Sequence, residues 1–179
     1  MSKKVLILSS SPRKGGNSDL LCDEFMKGAK ESGHDVEKIF VANKRINYCA
    51  GCGTCYSSHK CVQNDDMAEV LDKMVSADTI ILATPVYFYS IDGQLKTLID
   101  RTVTRYNEIE DKEFYYILTA ADTNKNMLNR TVETLRGFTE DCLPGAVEKG
   151  IIYGIGAWKK GEIKNTPAFL QAYEMGKNL

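Results

Sequence analysis

Val5-Leu6-Ile7-Leu8-Ser9-Ser10-Ser11-Pro12-Arg13-Lys14-Gly15-Gly16-Asn17-Ser18 is an apolar run that ends in a polar, glycine-bearing loop. Four consecutive apolar residues suit a strand buried on both faces, as in a parallel sheet. A helix is expected from about Ser18 to Lys30, where Leu21, Cys22, Phe25, Met26 and Ala29 recur at helical spacing. The loop between them combines hydroxyls, two cations, flexible glycines and a helix N-terminus. Free N–H groups and the helix dipole make such a place attractive to phosphate, and Arg13 can add paired hydrogen bonds. The stretch is neither GxxxxGK[ST] nor GxGxxG, which disfavours a nucleoside triphosphate or a dinucleotide pyrophosphate. A terminal monophosphate, as on a mononucleotide, fits better. The alternative is an ordinary polar connection with an Asn or Ser cap. Its position after the first strand of a parallel sheet favours phosphate.

Working outward, the same alternation repeats. Asp35–Val41 reads as a more polar, outer strand, and residues 42–63 have no clear period. A helix is expected over about Asp66–Val75, with Met67, Val70, Leu71, Met74 and Val75 as its stripe and Asp66 with Glu69 as a capping box. Thr79–Ala83, Phe114–Thr119 and Gly150–Ile155 read as strands. Gly93–Tyr106 and Met127–Phe138 read as helices, and a last helix starts at Thr166 as cap and Pro167. The pattern predicts an α/β fold: a doubly wound, five-stranded parallel sheet with helices on both faces. The 179 residues, 43% hydrophobic, suit one domain over 1–179 with its own core and a cysteine-rich loop at about 47–63. Lys+Arg (23) nearly balance Asp+Glu (24), so charge gives no case for nucleic acid. The apolar runs are far too short to span a bilayer. Met1-Ser2-Lys3-Lys4 shows no cleavage-site pattern, so a cytoplasmic chain is expected.

Thr84-Pro85-Val86-Tyr87-Phe88-Tyr89-Ser90 ends the third strand, on the same sheet edge as the first loop. Three consecutive aromatics there are costly to leave wet. A flat, polarisable ring system would cover them; the alternative is that they fill the core or a subunit interface. Thr119-Ala120-Ala121-Asp122, after strand four, is expected to add a third contact.

Six cysteines are present, and four of them, Cys49, Cys52, Cys55 and Cys61, fall within thirteen residues. The CxxCxxC start lets thiolates converge on one centre, as in the bacterial ferredoxin run. Zinc ribbons use well-separated CxxC pairs, which makes zinc the weaker metal. Free thiols or disulfides are the alternative. His59, between Cys55 and Cys61, is expected to be a solvated loop residue, and His34 has no case as a catalyst. Cys22 and Cys142 read as packing residues. No Ser/His/Asp or paired-carboxylate constellation stands out, so no residue is named as catalytic and the chemistry falls to a cofactor.

Ser-x-Ser-Pro-Arg-Lys-Gly-x-Asn-Ser, then Thr84–Ser90, then Gly93-Gln94-Leu95-Lys96-Thr97-Leu98-Ile99-Asp100-Arg101 resembles the NADPH-dependent FMN reductase and iron–sulfur flavoprotein group. The resemblance covers roughly the first hundred residues and implies a flavodoxin-like fold. It further implies FMN, with the phosphate held by Ser9, Ser11, Arg13, Asn17 and Ser18 and the ring cradled by Pro85, Val86, Tyr87 and Phe88. For the iron–sulfur members it implies that Cys49, Cys52, Cys55 and Cys61 ligate one [4Fe–4S] cluster; similar loops in related reductases carry none. The implied function is an FMN-dependent oxidoreductase taking electrons from NAD(P)H or a redox protein to a flavin, quinone, oxygen or protein acceptor. A non-catalytic electron-transfer or redox-sensing module is the second reading, and a zinc-stabilised phosphate-ligand binder the third. The resemblance also implies a homodimer or homotetramer.

Overall fold

A computed structural model describes residues Met1–Leu179. Five strands, β1 (Lys4–Ser9), β2 (Asp35–Phe40), β3 (Thr79–Pro85), β4 (Glu113–Thr119) and β5 (Val147–Gly154), pair in parallel in the order β2-β1-β3-β4-β5. The chain steps outward from β1 to β2, then reverses to β3. That reversal opens a crevice beyond the carboxyl ends of β1 and β3, where ligands of open α/β sheets sit. The order is the flavodoxin-like one, as expected. Strand β2 is an edge strand, and only Val36 and Ile39 of it are buried, which explains its polar sequence.

The helices are α1 (Asn17–Glu31), α2 (Cys55–Ser58, a single turn), α3 (Met67–Ser76), α4 (Gly93–Arg101), α5 (Asn129–Cys142) and α6 (Pro167–Lys177). Alternate strand residues face opposite layers. Val5, Ile7, Ile81, Ala83 and Ile117 pack under α1 and α6, whereas Leu6, Leu8, Ile80, Leu82 and Leu118 pack under α3, α4 and α5. Helices α1 and α6 meet through glycine. A Cβ on Gly28 would lie 2.1 Å from the Tyr173 carbonyl oxygen, and one on Gly176 would lie 2.1 Å from that of Phe25. Cys22 is fully buried in this layer. No helix is long and apolar enough to cross a membrane.

Several local expectations change. The helix expected over 93–106 stops at Arg101 and continues as two 3₁₀ turns. Its β-branched Thr-Val-Thr run lowers helix propensity, and the Thr102 hydroxyl donates back to the Ile99 carbonyl at 2.8 Å. The capping box at α3 does not form. The Asp66 carboxylate accepts from Arg45 N (2.6 Å), Glu69 pairs with Lys44 and Lys73, and Asp65 takes the Met67 N–H instead. Thr166 stands at the N-cap of α6, but its hydroxyl donates to the Ile163 carbonyl and caps nothing. Cys142 is exposed rather than packed, with its thiol turned onto the Gly137 carbonyl.

Candidate functional site

The loop after β1 is fixed by its own chemistry. The Ser10 N–H and hydroxyl both donate to the Ala83 carbonyl (3.0 and 2.7 Å), tying the loop to β3. Gly15 has φ +66°, and a Cβ on Gly16 would lie 2.7 Å from the Arg13 carbonyl oxygen, so this tight turn calls for both glycines. Gly16 is the N-cap of α1 and supplies no side-chain cap, so the first N–H groups of the helix have no intrahelical partner. Neither the Asn nor the Ser of this loop caps the helix.

Asp19 shapes the loop from beneath. One carboxylate oxygen accepts from the Ser9 hydroxyl (3.1 Å) and Lys38 (2.8 Å), and the other accepts from Gly15 N (2.8 Å). Burial pushes this carboxyl up, yet the Lys38 ammonium and the Gly15 N–H together hold it below its usual range. Ser9 is therefore buried and committed to Asp19. Asn17 is committed too, donating to the Ala157 and Lys159 carbonyls (3.1 and 3.0 Å) and accepting from Gly161 N (2.9 Å). The Ser18 hydroxyl bonds that of Thr119 at 2.6 Å, joining the first loop to the end of β4.

Beyond β3, Tyr87 and Ser90 exchange two backbone hydrogen bonds at 3.0 Å around Phe88 and Tyr89. Both central residues are left-handed, with φ of +49° and +62°. Such a turn prefers Asn-Gly, and holding a side-chain-bearing residue there costs roughly 1–2 kcal/mol each. Phe88 is nevertheless fully exposed. Strain combined with an exposed ring is a feature that packing does not explain. The turn is held at its base by the Thr84 hydroxyl, which donates to the Pro85 carbonyl and accepts from Asp92 N. Asp92 caps α4 through Leu95 N (3.0 Å), while its second oxygen is buried without a partner. Burial pushes its carboxyl up to about 6, with the Leu95 N–H pulling the other way.

These segments enclose one cavity of about 450 Å³. Ser11, Arg13, Asn17, Ser18, Pro85, Val86, Tyr87 and Phe88 all line it; Ser9 lies below and does not. Thr119, Ala120 and Ala121 line it as expected from their position, while Asp122 does not. Ala157 and Trp158 complete the wall and were not foreseen. Trp158, the only tryptophan, lies in a short polar stretch and is 73% exposed, a signal that sequence reading passed over. The volume suits a ligand of mononucleotide size.

Cys49, Cys52, Cys55 and Cys61 are all free and line a second cavity of about 220 Å³. Gly51 and Gly53, with φ of +65° and +73°, bend the chain between them. No three His, Cys, Asp or Glu side chains converge on a single-ion position. Backbone and side-chain hydrogen bonds from Thr54 lower the Cys52 thiol below its usual range. His59 is exposed and ends α2 with φ +53°. The loop is stapled to α4 by Arg101. Its guanidinium pairs with both Asp65 oxygens (2.7 and 3.0 Å), donates to the Asn47 carbonyl (2.7 Å) and reaches the Cys61 sulfur at 3.4 Å. The Arg101 and Asp65 side chains are 2% and 1% exposed. Sequence reading missed this pair, because 36 residues separate its partners.

The chain is similar to several proteins of known description. An iron–sulfur flavoprotein of Archaeoglobus fulgidus is 45% identical over 98 residues, which is 55% of this chain and 44% of that protein. One from Methanosarcina thermophila is 41% identical over 100 residues, 56% of this chain and 52% of its own. The matched stretch thus spans about half the length of these relatives. Among solved structures, an NAD(P)H:quinone oxidoreductase from Methanothermobacter marburgensis superposes with a TM-score of 0.78 at 18% identity, covering 99% of this chain and 97% of that one. An FMN-dependent NADH-azoreductase from Bacillus anthracis, in complex with FMN, gives 0.75 at 17% identity, covering 99% of both. At these identities the likeness is one of fold. The family described as NADPH-dependent FMN reductase matches residues 3–139, and the chain belongs to that family.

Proposed function

We propose that the chain is an FMN-dependent oxidoreductase that takes electrons from NAD(P)H or a redox protein. The observation that carries this reading is the cavity at the β1/β3 switch point, which joins a phosphate-suited loop to a strained aromatic turn. In it, Ser11, Arg13, Ser18 and the first N–H groups of α1 hold the FMN phosphate. Ser9 and Asn17 act on that site by shaping it, through Asp19 and through the 157–161 segment. Pro85, Val86, Tyr87 and Phe88 cradle the ring. When bound, FMN supplies two-electron hydride chemistry with the option of single-electron transfer. The protein's part is to bind, orient and keep water from the ring, so no side chain is assigned a catalytic proton.

Four thiols around one cavity would suit a [4Fe–4S] cluster held by Cys49, Cys52, Cys55 and Cys61. Such a cluster supplies one-electron transfer. This favours a second reading, a non-catalytic electron-transfer iron–sulfur flavoprotein or redox-sensing module, in which the acceptor is a protein. Under either reading, residues 1–179 form one flavodoxin-like FMN-binding domain. The exposed Phe88 and Trp158 at the cavity, with exposed Tyr89 next to Phe88 in the turn, support a homodimer or homotetramer in which a second copy completes the site. Six unpaired thiols suit a reducing cytoplasm.

Steady-state oxidation of NADH and NADPH by the FMN-loaded chain, under anaerobic conditions with a quinone acceptor, tests the enzyme reading. Turnover with either nucleotide is expected. No turnover with either, while a reduced ferredoxin bleaches the flavin, rejects the reductase in favour of the electron carrier.

A further inference from the structure

The segment after β5 is more firmly held than an exposed loop needs to be. Asn17, 8% exposed, binds the Ala157 and Lys159 carbonyls and the Gly161 N–H. A Glu162 oxygen accepts the N–H groups of Trp158 (2.9 Å) and Lys159 (2.7 Å). Three hydrogen bonds therefore fix the main chain of 157–161 against the start of α1, and two more to Glu162 fold the segment on itself. From this clamp Lys160 reaches over the loop after β1. Its Cε and Nζ lie 3.3 Å from where a Cβ on Gly15 would stand.

The charge around that loop is unbalanced. Arg13, Lys14, Lys159 and Lys160 take part in none of the chain's ion pairs. The two carboxylates of these segments are both engaged, Asp19 by Lys38, Ser9 and the Gly15 N–H, and Glu162 by the Trp158 and Lys159 N–H groups. Four cations against two engaged carboxylates leave a positive excess that attracts an anion from outside. The cavity that opens on Arg13 and Ser18 makes a phosphate the fitting anion.

We propose that Lys160 is a further phosphate-binding residue, brought from the far end of the chain by the Asn17 clamp, and that it makes the site select a phosphorylated flavin over riboflavin. This rests on the FMN reading above. A dianionic phosphate monoester gains a charge-assisted hydrogen bond from Lys160, whereas riboflavin, which lacks the phosphate, gains nothing there. One such bond corresponds to roughly a ten- to hundredfold change in affinity.

The test is a pair of equilibrium titrations, FMN and riboflavin, on the full chain and on Lys160→Met and Lys160→Arg. Lys160 is exposed, so these variants should fold as the parent does. Lys160→Met is expected to weaken FMN at least tenfold, leave riboflavin unchanged and so collapse the ratio between them; Lys160→Arg should keep most of it. Unchanged FMN affinity, or equal weakening of both ligands, overturns the proposal. If the parent chain binds neither flavin, the FMN reading fails. Broadening of the ³¹P line of inorganic phosphate then decides the role of Lys160. Broadening by the parent that Lys160→Met abolishes supports it, and equal or absent broadening refutes it.

Discussion

Replacing Asp92 by asparagine should change how the stability of the chain depends on pH. The side chain is 1% exposed, one oxygen caps α4 and the other has no partner. Burial lifts its carboxyl from 3.8 to about 6, because the charged form loses more solvation than the Leu95 N–H restores. The unfolded chain therefore loses this proton near pH 4, while the folded chain keeps it to about pH 6. Between those values the folded state binds the extra proton, so stability falls as pH rises, then levels off. A shift of about two units is worth about 3 kcal/mol, present in full above pH 6 and absent below pH 4. Asn keeps the cap but cannot ionise. Any constant cost of an amide in this position cancels in the pH difference. Urea unfolding of both FMN-free proteins from pH 4 to 7.5 should show the variant gaining on the parent by about 3 kcal/mol, roughly 6–12 °C in Tm for a chain of this size. A difference between the two that does not move with pH would mean that Asp92 is solvated or paired in solution, and would refute the reasoning.

Arg101→Met leaves the buried Asp65 carboxylate without its cation, held only by the Asn47 and Met67 N–H groups and the Asn47 amide, and should cost about 3–5 kcal/mol in urea unfolding; a loss below about 1 kcal/mol would mean the pair does not hold the cysteine loop. Burial pushes Asp65 up, but Arg101 holds it below its usual range, so the stability this pair confers is expected above about pH 4 and should fade as acid protonates the carboxylate. Phe88→Asn with Tyr89→Gly relieves two left-handed residues and should stabilise the FMN-free chain by roughly 1–3 kcal/mol while weakening FMN; undiminished FMN affinity would show that the turn does not face the ring. Gly28→Ala drives a methyl group into the Tyr173 carbonyl oxygen and should destabilise by about 2 kcal/mol or more in thermal unfolding; an unchanged Tm would contradict the close contact of α1 with α6.

The fold was legible because its evidence is local. Val5–Leu8 and Ile80–Ala83 are apolar without alternation, and that alone marks strands covered on both faces. The first loop and the 84–90 segment were legible as a pair because each carries its chemistry in consecutive residues. What escaped depends on contacts between distant residues: Asn17 with 157–161, Arg101 with Asp65, Lys160 with Gly15. Local periodicity holds no record of such pairings. Asp66 and Glu69 misled for a related reason. Their spacing suits a capping box, but the Arg45 N–H at Asp66 and the two lysines at Glu69 claim the same carboxylates first. Cys142 misled because cysteine is usually buried, and the end of α5 happens to face solvent.

Equilibrium titration of the flavin-free chain with FMN, followed by flavin fluorescence, tests the assignment of the β1/β3 cavity most directly. Saturation at one FMN per chain, with emission quenched against the Tyr87 and Trp158 rings and the affinity cut at least tenfold by Arg13→Met, is the predicted result. Free, unquenched FMN throughout the titration, or binding indifferent to Arg13, would contradict it.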